Sequence, residues 1–360
     1  MKNITEYPIH TFPGDYFIGM NTGHGFVNTT LDVINEKTLD RIYIIKGAAG
    51  TGKSTLMKHI AELSSSEGID CQRYLCSSDP NSLDCIIIDG RIAVLDGTAP
   101  HMLDMAYPGG ASELVDMTNF WNTQKLLDNK KDIISISDKK SAAFNRAYSL
   151  LNACEILAAE RKVAISRAFN FEKAEKAAER LIGKLGYRKN IGKSTIRPVR
   201  SFGMKGKAGL DTFECIASEK ISVSDTYGSG YLFMDIVSER LQSAGHTFIK
   251  SPDPIAPDNI CDIFIPEEGI LITVDGLENP DHNINMSRFI DTDLLNSVRG
   301  GIRLSFKCSS ELENEAENCL ADAGKYHFAL EKIYGGAMNF DCISSYSDLL
   351  WKNIVSILKR

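Results

Sequence analysis

Residues 47–55 read Gly47-Ala48-Ala49-Gly50-Thr51-Gly52-Lys53-Ser54-Thr55, a glycine-rich run closed by a lysine and two hydroxyls. Those residue types at that spacing suit a phosphate. Glycines carry no Cβ, so the backbone can wrap an anion and turn its N–H groups inward. Lys53 adds a mobile positive charge for β- and γ-phosphates. The Ser54 hydroxyl is placed to ligate Mg²⁺. Ala48, Ala49, Thr51 and Thr55 complete the backbone cradle. The apolar run Ile42-Tyr43-Ile44-Ile45 precedes it, and Leu56, Ile60 and Leu63 follow at helical spacing. Strand, glycine-rich turn and helix form the context that such a phosphate-binding loop (P-loop) requires. The helix also presents its positive N-terminal end to the same anion.

A Mg²⁺ site needs a second carboxylate from a neighbouring strand, and two runs offer one. Ile92-Ala93-Val94-Leu95-Asp96-Gly97 ends in Asp96, and Cys85-Ile86-Ile87-Ile88-Asp89-Gly90 ends in Asp89. Asp96 is preferred, because the chain leaves it as the loop Gly97-Thr98-Ala99-Pro100-His101, where ligands bind at the carboxyl ends of α/β strands. Asp89-Gly90-Arg91 has the composition of a tight turn between adjacent strands. Many ATPases place Glu directly after the Mg²⁺ aspartate; here that residue is Gly97. Asp79, Asp84 and His101 are the candidates for a role near the γ-phosphate. Each has a plain structural alternative. Asp79-Pro80-Asn81 is good turn chemistry, Asp84 could cap or pair, and His101 could be a hydrogen-bonded loop residue.

Other patterns carry less. Gly192-Lys193-Ser194-Thr195 imitates the end of a phosphate loop but lacks a glycine five residues upstream. Asn129-Lys130-Lys131-Asp132 imitates a guanine-reading motif but follows polar, helix-like text, so adenine is favoured over guanine. Cys71, Cys76 and Cys85 fall in strand-like text without a matching Cys/His pair and read as small core residues.

Positioning these groups is the task of a repeated element. Ile18-Gly19-Met20 recurs as Phe202-Gly203-Met204, and Gly50-Thr51-Gly52 as Gly228-Ser229-Gly230. Asp84-Cys85-Ile86-Ile87 recurs as Asp262-Ile263-Phe264-Ile265, and Val94-Leu95-Asp96-Gly97 as Thr273-Val274-Asp275-Gly276. Ala168-Phe169-Asn170-Phe171 recurs as Ala337-Met338-Asn339-Phe340. The order is kept throughout. The second loop has lost its chemistry: Gly47 becomes Asp225, Lys53 becomes Tyr231 and Ser54 becomes Leu232. Without the lysine charge and the hydroxyl the electrostatic rationale disappears, and Asp275 is left structural. Between Lys184 and Lys207 stand eight Lys/Arg and no Asp/Glu, interrupted by Gly and Pro. This reads as a solvated connector; alternatively Arg197 or Arg200 reaches the phosphates, or the stretch receives an acidic partner or nucleic acid. Asn145 to Arg180 repeats apolar residues at helical spacing and reads as packed helix.

The 360 residues are 43% hydrophobic and 24% charged with a net charge of -7, which excludes disordered, collagenous and coiled-coil classes. The charge gives no overall pull toward nucleic acid or anionic lipid. No apolar run exceeds strand length, and Met1 to Gly19 lacks the pattern of an export or membrane signal. Nine cysteines without such a signal suggest reduced thiols in the cytoplasm.

The run Phe17-Ile18-Gly19-Met20-Asn21-Thr22, the loop 47–55, Cys76-Ser77-Ser78-Asp79-Pro80-Asn81-Ser82-Leu83-Asp84 and Asp96-Gly97-Thr98-Ala99-Pro100-His101 together resemble a bacterial family of tandem P-loop ATPases. The resemblance spans the chain and implies ATP binding without supplying a substrate. Many members keep the loop in both copies; this chain departs from them in the second. The expected fold is α/β, with two tandem P-loop NTPase-like domains, each a mostly parallel sheet flanked by helices. The expected boundaries are 1–190, a basic linker 191–200, and a degenerate copy 201–360. The expected function is ATP binding and Mg²⁺-dependent hydrolysis at one site. The phosphates would lie on 47–55, the metal on Ser54 and Asp96, and Lys53, Asp79 and His101 would serve catalysis. The alternatives are a kinase of a small molecule or nucleotide, and a nucleotide-sensing regulator with a protein partner and little turnover.

Overall fold

The structure is a computed structural model that describes residues 14–29, 33–274 and 276–360. Most of the N-terminal segment read above, and Asp275, lie outside the described residues. The first half runs β1 (Asp15–Phe17), β2 (Gly19–Thr22), β3 (Gly25–Asn28), β4 (Arg41–Lys46), α1 (Lys53–Ser66), β5 (Cys71–Leu75), β6 (Leu83–Ile88), β7 (Ile92–Asp96), β8 (Ser112–Asp116), α2 (Thr123–Asp128), α3 (Lys130–Ser166) and α4 (Phe171–Gly183). The second runs β9 (Ser194–Ile196), β10 (Arg200–Gly203), β11 (Gly206–Gly209), α5 (Thr212–Ile216), β12 (Glu219–Ser224), α6 (Gly230–Ser243), β13 (Phe248–Pro252), β14 (Ile260–Ile265), β15 (Ile270–Thr273), β16 (His282–Asn285), α7 (Thr292–Gly335) and α8 (Phe340–Leu358).

The sheet orders are β1-β5-β6-β7-β4-β8 and β9-β13-β14-β15-β12-β16. The pairing senses also agree. In each sheet the strand before the glycine-rich loop has parallel neighbours on both sides. The next three strands in order pair antiparallel. A mostly parallel sheet was expected, and the sheets are mixed. The reason is the turn after β6, where Asp89 and Gly90 take φ of +50° and +65°. A turn that tight can join only antiparallel neighbours. A hairpin precedes each of these strands, β2–β3 before β4 in the first half and β10–β11 before β12 in the second.

Strand alternation sorts the first sheet's side chains onto two faces. Tyr43, Ile45, Ile86, Ile88 and Val94 face α1. Ile42, Ile44, Cys85, Ile87, Ala93 and Leu95 join Ile249, Phe264 and Leu271 of the second sheet in a shared core. Ile221, Val223, Ile263 and Ile272 turn to α6 on the far side. The layers therefore run helix, sheet, sheet, helix.

The boundaries 1–190 and 201–360 divide the sequence but not the cores. In α4, Ala174, Ala178 and Ile182 pack with α6 on the second sheet. In α8, Ile343, Leu350, Trp351 and Ile354 pack with α1 on the first sheet. The halves have exchanged their last helices. The repeated asparagine caps both: Asn170 accepts from the Lys173 N–H and Asn339 from the Cys342 N–H. The crossings are reciprocal. The Asn122 N–H donates to the Ala337 carbonyl at 2.8 Å, and the Asp291 N–H to the Ala168 carbonyl at 2.8 Å. The long helices α3 and α7 make the crossover and pack together through Ala147, Leu151, Cys154, Ala316, Cys319 and Leu320. No helix among the described residues is long and apolar enough to cross a membrane.

Candidate functional site

The chain leaves β4 and turns at once through residues 47–52 into α1. Gly50 and Gly52 take φ of +71° and +88°, which L side chains rarely adopt. No side chain caps α1 among the described residues, so its first N–H groups open toward the loop. Lys53 folds back over this loop. Its Nζ donates to the carbonyls of Gly47 at 3.0 Å and Ala48 at 2.6 Å. The same nitrogen lies 3.5 Å from Asp96 Oδ2. Thr51 Oγ1 donates to the Ala48 carbonyl at 2.8 Å. A curl of backbone with outstanding N–H donors and one mobile cation is an arrangement that can hold an anion.

Asp96 ends β7 beside Ile45 of β4. Its Oδ1 accepts from the Thr98 N–H at 2.8 Å, and Thr98 Oγ1 donates to the Gly47 carbonyl at 2.8 Å. Asp89 sits in the turn at the opposite end of the strand pair. Gly97 has a steric cause: a Cβ there would stand 2.3 Å from Ile44 Cγ2, so no glutamate fits after Asp96. Ser54 Oγ accepts from the Leu83 N–H at 2.9 Å and faces the same cavity as Asp96. Hydroxyl and carboxylate oxygens are the donors a hard cation takes, and Mg²⁺ draws the rest of its shell from water and phosphate.

Asp79 forms its turn: Oδ1 accepts from the Asn81 backbone N–H at 3.1 Å and from Asn81 Nδ2 at 2.9 Å. It stands on the cavity wall. Asp84 and His101 are brought together. His101 Nε2 is 3.0 Å from Asp84 Oδ2, and each residue is 6% exposed. The His101 ring meets Phe26 edge-on, and its Nδ1 has no hydrogen-bond partner among the described residues. A buried imidazole beside a carboxylate at the cavity wall is a pair that can orient a polar group there.

Residues 48–55 with Asp79, Asp84, Asp96 and His101 line one cavity of about 1070 Å³. Part of its wall comes from residues that no motif marked. Lys140 and Tyr148 enter from α3, and His327, Glu331 and Tyr334 from α7. Burial first, and then the Lys53 charge, lower the affinity of the Lys140 amine for its proton. The end of α7 presses directly on the loop, because a Cβ on Gly50 would stand 2.5 Å from the Glu331 carbonyl oxygen. Met204, in the β10–β11 turn, reaches the cavity as its N–H donates to the Ser78 carbonyl at 3.0 Å. The second half thus walls the first half's loop. Only the repeated asparagine hinted at this crossing.

At the second loop the Asp225 carboxylate is turned onto its own backbone. Oδ1 accepts from the Tyr227 N–H at 3.0 Å and Ser229 Oγ at 2.9 Å; Oδ2 accepts from the Gly230 N–H at 2.7 Å. Tyr231, at the position of Lys53, donates its hydroxyl to Asp253 at 2.7 Å. Burial and Asp253 hold that phenol far above its ordinary pKa. Ser309 stands where the first site has Lys140, and the cavity here shrinks to about 230 Å³.

The basic stretch 191–200 is not a solvated connector. It carries β9, which pairs with β13, and Arg197 is 1% exposed. Arg197 Nη1 donates to the Ile196 carbonyl at 2.7 Å. Arg200 grips Asp262, the counterpart of Asp84, with Nε and Nη2 each 2.8 Å from a carboxylate oxygen. Neither arginine lines the cavity at residues 47–55. No family model, curated protein or solved structure matches the chain.

Proposed function

We propose that the chain is an ATP-binding protein with one nucleotide site, at Gly47–Thr55, and that it hydrolyses ATP with Mg²⁺. The observation that carries this reading is the open loop itself. Two glycines with positive φ feed an uncapped helix start, and the Lys53 amine rests on the Gly47 and Ala48 carbonyls beside Asp96. The matching strand order of the two sheets supports reading the chain as two copies of one P-loop domain, the second degenerate. All nine cysteines are thiols rather than disulfides, which suits a reducing, cytoplasmic setting.

In this proposal the α1 N–H groups and the backbone of 47–53 bind phosphate oxygens, and Lys53 exchanges its carbonyl contacts for the β- and γ-phosphates. Ser54 and Asp96 would hold Mg²⁺, which neutralises charge on the same oxygens. The Asp84–His101 pair is the stronger candidate to orient the attacking group, since Asp79 Oδ1 is engaged in its own turn. Equilibrium titration with a non-hydrolysable ATP analogue and Mg²⁺ tests the site. Wild type should bind one analogue per chain, and Lys53→Ala should bind about a hundredfold more weakly, the loss of a charge-assisted contact. Equal affinity in the two proteins would remove the proposal.

A small-molecule kinase is the second reading. The cavity favours it, because it extends past the loop to Asn21, Ser78 and Tyr148, where the tyrosine hydroxyl lies 3.3 Å from Asn21 Oδ1. Transfer of labelled phosphate to an added hydroxyl compound, rather than to water alone, would select that reading. The contact of α7 with Gly50 favours a third, a nucleotide-sensing regulator.

A further inference from the structure

The second copy has filled its own cradle with a carboxylate, and its aromatic residues are arranged in a parallel way. Phe171 opens α4 directly after the Asn170 cap. Phe169 packs edge-on against it, with ring centroids 5.0 Å apart. Phe340 opens α8 at the equivalent place after Asn339. There the residue in the position of Phe169 is Met338, and Phe340 has no aromatic partner among the described residues. Phe340 is 50% exposed and lines the same cavity as the loop 47–55. It also lies against the loop: a Cβ on Gly52 would stand 3.4 Å from Phe340 Cε1. Gly335 lies alongside, where a Cβ would be in ordinary contact with the Gly50 carbonyl oxygen at 3.4 Å and Phe340 Cζ at 3.9 Å.

A half-exposed phenyl ring at a helix start gains little from water, and a flat aromatic ligand can cover it. Every nucleobase offers such a face, and stacking on an aromatic side chain is a common way to hold one. We propose that Phe340 is the platform for the nucleotide base: a purine lies on its open face while the triphosphate runs to Gly47–Lys53. The inference rests on the nucleotide site proposed above and adds the residue that reads the base. It also divides the ligand. The phosphates sit on the first half and the base on a helix contributed by the second half. In the second copy Asp225 takes the phosphate's position, while Phe171, 42% exposed, has Phe169 against it edge-on and does not line the smaller cavity.

The test compares two ligands, ATP and inorganic triphosphate, both with Mg²⁺, on wild type, Phe340→Ala, Phe340→Leu, Phe340→Tyr and Lys53→Ala. Phe340→Ala and Phe340→Leu should weaken ATP about tenfold or more, the scale of one lost stacking contact. They should leave inorganic triphosphate unchanged. Phe340→Tyr should bind ATP as wild type does, and Lys53→Ala should weaken both ligands. The leucine variant keeps the apolar bulk at the start of α8, so a folding defect in the alanine variant does not blur the result. Unchanged ATP affinity in Phe340→Leu overturns the inference and leaves the phosphate site standing. So does an equal loss of ATP and triphosphate. If wild type binds neither ligand, the nucleotide-site proposal itself fails and takes this one with it.

Discussion

The loops 47–52 and 225–230 have the same frame and opposite contents. Each follows the strand next to one edge of a six-stranded sheet, and each opens a helix of 14 residues. Each turns on a glycine with positive φ, Gly50 at +71° and Gly228 at +85°. In the first, helix-start N–H groups lack a side-chain cap and a lysine lies over the opening. In the second, Asp225 takes three donors of the same curl. A helix start with outstanding N–H groups favours an anion, and the chain can supply that anion from solution or from its own backbone neighbourhood. Loop 225–230 is therefore closed by a carboxylate of its own rather than collapsed. This explains how the second half keeps its geometry without a ligand.

The largest expected effect concerns the exchange of helices. Trp351 on α8 is buried on the first sheet, and its indole N–H donates to Glu67 at 2.9 Å. Trp351→Ala should lower stability by about 3–5 kcal/mol, as for other large core truncations. Hydrogen exchange should then quicken in β4 and β7, in the half distant in sequence, before it does in β12 and β15. Faster exchange confined to the second sheet would contradict the exchanged packing.

A smaller effect is expected at the internal anion. Asp225→Ala should reduce thermal stability by about 1–2 kcal/mol, the scale of a lost helix-start acceptor. Nucleotide stoichiometry, measured calorimetrically, should stay at one per chain, because Tyr231 and Leu232 still replace the lysine and serine. A second bound nucleotide in this variant would mean that Asp225 alone had closed the site.

The smallest effect is a pH dependence that only the first site should show. The Lys140 proton affinity is lowered by burial and by Lys53. A triphosphate in the cavity favours the charged amine and raises it again. Binding therefore takes up a proton in the window above the lowered pKa of the free protein. Affinity should fall as pH rises through that window, by at most about tenfold per pH unit for one proton. Lys140→Met should flatten the profile. A profile that stays steep in that variant would assign the proton elsewhere.

Much of the first site was legible. Gly50 and Gly52 announce a backbone that only glycine tolerates, and Asp89-Gly90 announces the reversal that makes the sheet mixed. The repeat of Asn170 and Asn339 was visible as a pattern, but its meaning as twin caps on exchanged helices was not. Gly97 read as a missing glutamate; Ile44 beside it shows a position without room for any side chain. Arg197 and Arg200 read as cations for a phosphate or an acidic partner, because the burial of Arg197 and the pairing of Arg200 with Asp262 come from tertiary packing.

Local rules are written in the chain: φ signs at glycine, caps at asparagine, alternation in strands and the order of a repeat follow from neighbours a few residues apart. By themselves they determined two similar sheets, one loop open to an anion and one whose lysine and serine are gone. An apolar helix stripe does not name its partner, because burial is non-directional and either sheet offers a matching face. Tertiary packing alone decided that α4 and α8 cross over. By that crossing it laid α7 and Phe340 against a loop nearly three hundred residues upstream.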